Sequence, residues 1–338
     1  MFAAGACTSL ITSGTLVRRL ERVAGKAQLS DALLGALAAM AADSPEITSA
    51  VTAIAHGQTD VGAGVVLGSA VFNLSALMGL GAVVARGLPL GRRVIAFAGA
   101  VTTVLTILAL LTVGPRVNPG LTLALAVAVL GAYLFLLGAP PSALAPMRRF
   151  RVCARPVSWL MQAVAEEELA EEEEFEPERR SPETARAPVW RDLALAGVAL
   201  LVVVGASYAM ERSVTDLGSR VGAPGIVIGA LVLGAVTGIP NAVASIYLAR
   251  KGNGTGALSA ALNSNNFNIV IGLLAPAVIA GTGTSAGGEV LVASWCLALT
   301  AICLTVGWRS GRLGRGFGSA VLVAYGAFAG AVVATALS

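Results

Sequence analysis

Charge is scarce in this chain. Of its 338 residues only 12% are Asp, Glu, Lys or Arg, against roughly 25% in an ordinary soluble domain, so a water-exposed globular surface is excluded as its main setting. Histidine is scarcer still. His56 is the single one, which leaves no His-rich cluster for a membrane enzyme acting on lipid and none to hold a transition metal. The four cysteines, Cys7, Cys153, Cys296 and Cys303, form no CxxC pair; the two nearest lie seven apart within one apolar stretch. They read as packing residues, with no disulfide framework or metal site. The net charge of +4 is spread through separate segments, so nucleic acid is not an expected partner.

What the chain has in abundance is apolar length. Hydrophobic residues make up 56%. Runs at 94–113, 121–137, 193–210, 290–307 and 317–337 each approach the roughly 20 residues that cross a bilayer core as a helix. Four more, at 31–55, 61–85, 226–249 and 255–280, are long enough but broken by Pro, Gly, Asn and Ser. A short segment at 1–17 brings the expectation to about ten spans. Forty glycines suit helices whose backbones approach closely in lipid. Because the first apolar segment is short, the chain is expected to begin inside its first span.

The basic residues sort by side. With ten alternating spans, the loops after spans 1, 3, 5, 7 and 9 hold twenty of the twenty-three Lys and Arg residues, leaving Arg116, Arg212 and Arg220 opposite. The positive-inside rule makes the first face cytoplasmic and puts both termini outside. The long segment 139–190, with EEELAEEEEFEPERR after a basic stretch, then reads as a cytoplasmic linker between halves 1–138 and 191–338. No spaced acidic calcium loop occurs in it.

Inside this lipid-compatible sequence, AADSPEITSA places Asp43, Pro45 and Glu46 within one apolar stretch. A charge at bilayer depth costs about 2.5 to 3.5 kcal/mol even on the gentler scale, so it reads first as functional. Sliding the chain by 195 residues aligns 42–73 with 237–268 without a gap. Pro45 meets Pro240, Gly57 meets Gly252, Ser69 meets Ser264, and Phe72 and Asn73 meet Phe267 and Asn268. With an odd number of spans in each half, the second copy enters the membrane with opposite orientation. Inverted repeats of this kind place an ion site near the midplane, built from helices broken so that backbone and polar side chains face it.

The two copies, each a small residue, Pro, and Glu or Asn, then a Gly turn, then Ser and Asn, around an acidic linker, resemble the sodium/calcium exchanger family of cation/calcium antiporters. The resemblance implies an all-α integral membrane fold of about ten transmembrane helices in two inverted five-helix repeats. It also implies a two-helix unit that moves over a stable core, exposing one central cation site to either side alternately. The ligand set carried over is Glu46, Ser69 and Asn73 from the first copy and Thr237, Asn241, Ser264 and Asn268 from the second, with Asp43 added. Asn241 stands where the family has its second glutamate, and Asp43 and Gly238 stand where it has serines.

These are hard oxygen donors, suited to Ca²⁺ or Na⁺. The expected function is therefore exchange of Ca²⁺ for Na⁺ or H⁺, with no cofactor, no enzyme chemistry and inorganic cations and the bilayer as partners. The alternatives are a monovalent Na⁺/H⁺ exchanger, and a degenerate homologue that does not transport. Asp43 reads either as a second carboxylate coupled to Glu46 or as the cap of the helix half after Pro45. The asparagines read as ligands or as hydrogen-bond glue between helices. His56 and Asp60 fall in an outer turn, and Glu211 and Glu289 at span ends in water. A prokaryotic inner membrane is the expected location; the oligomeric state is left open.

Overall fold

The computed structural model describes residues 1–26, 30–114, 117–139, 158–169, 188–281 and 287–337. Cys153 and most of the acidic segment lie outside the described residues. The described chain is helical apart from one two-residue ladder. In order, the elements are α1 (Phe2–Lys26), α2 (Asp31–Ala42), α3 (Ser44–Ala55), α4 (Thr59–Val84), β1 (Leu88–Pro89), α5 (Arg92–Val113) and α6 (Pro119–Gly138). They continue as α7 (158–169), α8 (Val189–Val221), α9 (Gly225–Thr237), α10 (Ile239–Lys251), α11 (Gly254–Ala280), α12 (Gly288–Ser310), β2 (Arg312–Leu313) and α13 (Arg315–Leu337).

Seven of these helices are long and apolar enough to cross a membrane: α4, α5, α6, α8, α11, α12 and α13. An eighth span arises if α9 and α10, bent by 45° at Gly238, count as one. Their starts follow local chemistry. Asn118 accepts a hydrogen bond from Gly120 N at 2.7 Å and Pro119 opens α6, while Asn253 accepts from Gly256 N at 2.8 Å before α11. Such caps satisfy amide groups that the helix itself leaves free. Helix α1 does not stop at Val17 but runs to Lys26, so its basic residues occupy its last turns.

Element boundaries repeat along the chain at the 195-residue offset. α4 begins at Thr59 and α11 at Gly254, α1 ends at Lys26 and α8 at Val221, and the left-handed turn glycines Gly57 and Gly252 have φ of 79° and 80°. The breaks coincide as well. Asp43, between α2 and α3, has φ −81° and ψ 0°, and Gly238, between α9 and α10, has φ −76° and ψ −5°. Each precedes a helix with proline in its first turn, where a missing N–H costs nothing because that group has no helical partner.

Burial separates centre from periphery. In the apolar windows of α4 and α11, 94% and 78% of residues are buried, against 28% for α6 and α8 and 17% for α13. The two helices that carry the Ser and Asn positions are thus the middle of the molecule. Around them, Leu125, Val127, Phe135, Leu201 and Val323 point outward, an apolar exterior that fits a lipid solvent.

The turns after α4 and α12 are joined by the antiparallel pair Leu88↔Leu313 and Pro89↔Arg312. Gly91 N donates to Thr255 Oγ1 at 2.9 Å, and Arg93 pairs with Glu166 of α7 at 3.4 Å. The turns bearing Arg86, Arg92, Arg93, Lys251, Arg309, Arg312 and Arg315 therefore gather on one face, together with the linker helix.

Candidate cation site

The site is assembled at the two breaks. Because α3 starts at Ser44 and α10 at Ile239, Asp43 and Glu46 stand at one helix start and Asn241 at the other. Close approach of α4 and α9 brings in the remaining groups. A Cβ on Gly68 would lie 2.4 Å from Ala230 Cα, and one on Gly229 would lie 2.2 Å from Val61 O. Only glycine permits that contact. At Gly238 a Cβ would sit 3.1 Å from Asn73 Oδ1, so even the break residue must be small.

The eight residues expected from the sequence come together in two linked clusters. Asn241 Nδ2 donates to Asp43 Oδ1 at 2.9 Å and lies 3.2 Å from Ser264 Oγ, which also receives Asn73 Nδ2 at 3.0 Å. Asn268 Nδ2 donates to Glu46 Oε2, and Ser69 and Thr237 also face the Glu46 carboxyl. The Ser69 and Thr237 hydroxyls donate to their own helices, at Val66 O (3.0 Å) and Leu233 O (2.8 Å), leaving lone pairs for the interior. Asp43, Glu46, Ser69, Asn73, Thr237, Ser264 and Asn268 are buried; Asn241 is half-buried.

Several oxygens in this buried space have no hydrogen-bond donor: Asp43 Oδ2, Glu46 Oε1, Asn73 Oδ1 and Asn268 Oδ1. Ser49 Oγ, one turn on from Glu46 along α3, is in the same condition. Buried oxygens left unpaired are costly, and a cation is the partner that would satisfy several together. The amide nitrogens of Asn73, Asn241 and Asn268 donate to carboxylate or hydroxyl oxygens, which leaves the Asn73 and Asn268 amide oxygens free to act as ligands.

Of the two readings of Asp43, the cap is the one its geometry does not support: Asp43 is the N-cap residue of α3, but its side chain makes no capping bond and its carboxylate reaches across to Asn241. Two expectations need correction. Glu211 and Glu289 are not in water: they are 2% and 7% exposed, Glu211 on a helix that packs against α3. Glu167, on the linker helix, is wholly buried, and its place in an acidic run gave no sign of it. Asn266 is a further buried polar residue that the aligned motif does not single out, and its two amide atoms both lack partners. By contrast His56 is exposed, at a turn, with its ring against Tyr208.

The family model for "Sodium/calcium exchanger protein" matches residues 1–139 and 192–334. The chain belongs to the sodium/calcium exchanger family. Among curated relatives it is 36% identical over 131 residues to human sodium/potassium/calcium exchanger 4, covering 36% of this chain and 21% of that one. To human sodium/potassium/calcium exchanger 3 it is 33% identical over 137 residues, 38% of this chain and 21% of the relative. The chain thus spans about a fifth of the length of the curated relatives it matches. Two solved structures share its fold nearly end to end. YfkE superposes with a TM-score of 0.62 at 15% identity, covering 98% of this chain and 91% of the other. The exchanger NCX_Mj soaked with Na⁺ and Ca²⁺ gives 0.59 at 16% identity, covering 96% and 94%.

Proposed function

We propose that the chain is a secondary antiporter that exchanges Ca²⁺ for Na⁺ or H⁺ at the site formed by Asp43, Glu46, Ser69, Asn73, Thr237, Asn241, Ser264 and Asn268. The observation that carries this reading is the set of unpaired buried oxygens drawn from both copies of the repeat. Carboxylate, amide and hydroxyl oxygens match the six to eight hard ligands that Ca²⁺ takes, and a smaller subset serves Na⁺. The names of its relatives add K⁺ as an ion to test.

In this reading the ten spans are two inverted repeats, 1–138 and 191–338, joined by the linker 139–190. The repeated boundaries support it. The two-helix unit is α1 with α8. They lie along one another, joined by Ser9 and Ser207 hydroxyls at 2.7 Å and by Asp192, which pairs with Arg19 at 2.9 Å and Lys26 at 3.0 Å. Between this pair and the core is an apolar cavity of about 390 Å³, lined by Leu16, Leu20, Met40, Ile47, Leu200 and Ile271 among others. A mostly apolar seam of this kind lets the pair shift at little cost, which alternating access requires. The basic face is cytoplasmic and both termini are outside, in a prokaryotic inner membrane.

The deciding experiment is radioactive calcium uptake into inverted vesicles under imposed Na⁺, K⁺ or H⁺ gradients. Counterflow driven by the Na⁺ gradient or the H⁺ gradient is expected. Sodium flux without calcium flux would instead favour the monovalent exchanger, and no flux of either the non-transporting homologue. For topology, an impermeant thiol reagent should leave Cys153 unlabelled in intact cells and label it once they are permeabilised; labelling in intact cells would reverse the assignment.

A further inference from the structure

Helix α7 belongs to the linker, yet it puts a carboxyl group into the protein interior that the cation site does not use. Glu167 is fully buried. Its Oε1 lies 2.6 Å from the Tyr133 hydroxyl of α6 and 2.8 Å from the Ser259 hydroxyl of α11. The Tyr133 hydroxyl is in turn 2.8 Å from Asn263 Oδ1, and Asn263 Nδ2 is 3.3 Å from Ser259 Oγ. Four side chains from three helices close a ring of four contacts.

Each contact needs one hydrogen between its two heavy atoms. Tyr133 and Ser259 supply one each. The Asn263 amide supplies one more, through whichever neighbour faces its nitrogen, and turning the amide over leaves that tally unchanged. An ionised Glu167 supplies none, so one contact would set lone pair against lone pair. A neutral Glu167 completes the ring: its O–H donates to Tyr133, Tyr133 to Asn263, Asn263 to Ser259, and Ser259 back to Glu167.

Two further observations agree. Glu167 Oε2 is buried without a partner, a position that penalises a carboxylate far more than a neutral acid. Burial also pushes the Glu167 carboxyl up from its ordinary range, against the lowering effect of bonds from Tyr133, Ser259 and Asn263. Among the described residues, the titratable and charged groups around it are Tyr133 on α6, Glu166 and Glu168 beside it on α7, and Arg93 of α5, which pairs with Glu166. α11 presents the neutral Ser259 and Asn263.

We propose that Glu167 is a protonation-operated positioning residue for exchange: as a neutral acid it docks α7 between α6 and α11 and holds that face of the transporter shut, and as a carboxylate it releases the helix. Control of exchange rests on the antiport reading above; docking does not. The ring grips α11 at Asn263, directly before Ser264, the hydroxyl that receives both Asn73 and Asn241 at the cation site. Because the docked acid titrates above a free one, docking is complete below the ordinary carboxyl range. It is lost as pH on that face rises through the raised value.

The test is a pair of spin labels at Trp159→Cys on α7 and Arg309→Cys at the end of α12, with Cys7, Cys153, Cys296 and Cys303 replaced, and the distance read by pulsed electron resonance across pH. With Glu167 the distance should lengthen and broaden as pH rises. Glu167→Gln keeps an acceptor oxygen and brings its own hydrogens, so it should stay docked at every pH; Glu167→Ala should be undocked at every pH. Calcium flux should rise severalfold for Glu167→Ala at acid pH and fall below the parent for Glu167→Gln at alkaline pH. A parent distance that ignores pH, or a Glu167→Gln distance that tracks it like the parent, would overturn the proposal. Distances that behave as described while flux ignores both variants would overturn the control of exchange. The distances need no transported ion, so correct docking in a chain that carries no calcium would sink the antiport reading alone.

Discussion

Asn241 Nδ2 donates to Asp43 Oδ1 across 2.9 Å, joining the position where the family resemblance implies a second glutamate to the position where this chain carries an additional carboxylate. In the proposed site, the negative charge that the resemblance implies for the second copy of the repeat is matched by one carried on the first. Both carboxylates now approach from the first copy, and the second answers with amides.

That relationship makes a charge-transfer pair of substitutions informative. Asp43→Asn should weaken calcium binding by about tenfold, on the order of 1.4 kcal/mol for one lost charge contact in a site that keeps Glu46. Asn241→Asp combined with Asp43→Ser should restore binding to near the parent value, because the charge returns across the same short distance. Calcium titration of purified protein by calorimetry checks both. A double variant weaker than Asp43→Asn would show that the charge is not transferable.

Glu46 holds the other cluster, with Asn268 on its Oε2 and Oε1 unpaired. Glu46→Gln should reduce calcium flux by about a hundredfold or more, corresponding to roughly 2.7 kcal/mol. Asn268→Ala should cost less, about tenfold, since it removes one neutral ligand and the donor that orients the carboxylate. Flux in reconstituted vesicles measures the order; equal effects would mean Asn268 does more than orient.

Gly68 packs against Ala230 so closely that a Cβ would lie 2.4 Å from its Cα. Gly68→Ala should therefore drive α4 from α9 and destabilise the protein by about 1 to 3 kcal/mol, the usual cost of overpacking. It should also weaken calcium binding, because Ser69 is the next residue. Gly131→Ala, on α6 with open space at its Cβ, is the control and should be silent in a thermal unfolding assay.

Asp192 is buried at the start of α8 and receives Arg19 and Lys26 from α1. Asp192→Asn leaves two cations facing a neutral group and should lower stability by roughly 2 kcal/mol, less than for a fully buried pair because both cations are partly exposed. If α1 and α8 move as one body, the variant should also slow exchange at saturating calcium without changing its affinity. A changed affinity with an unchanged maximal rate would place Asp192 in the static frame instead.

Much of this molecule is legible in its sequence. Apolar run lengths marked the helices, and the 195-residue offset marked both breaks, because a proline and a small residue leave the same signature wherever a helix is interrupted. The candidate oxygen ligands were readable for a similar reason: a carboxylate or a run of amides in an apolar stretch is expensive in lipid and stands out against it.

Contacts across helices followed another rule. Whether Asp43 caps its own helix or reaches Asn241 depends on how α4 seats on α9, which is decided where Gly68 meets Ala230. Whether Glu167 is one more solvated charge in an acidic run or the fourth member of a buried ring depends on where α7 docks. Residues distant along the chain enter both answers, and local composition carries no record of their separation in space. The sequence by itself determined which segments are long and apolar enough for a bilayer and which side chains would be costly there; only the tertiary structure decided which of those side chains meet, since burial and hydrogen-bond partners belong to the packed helices.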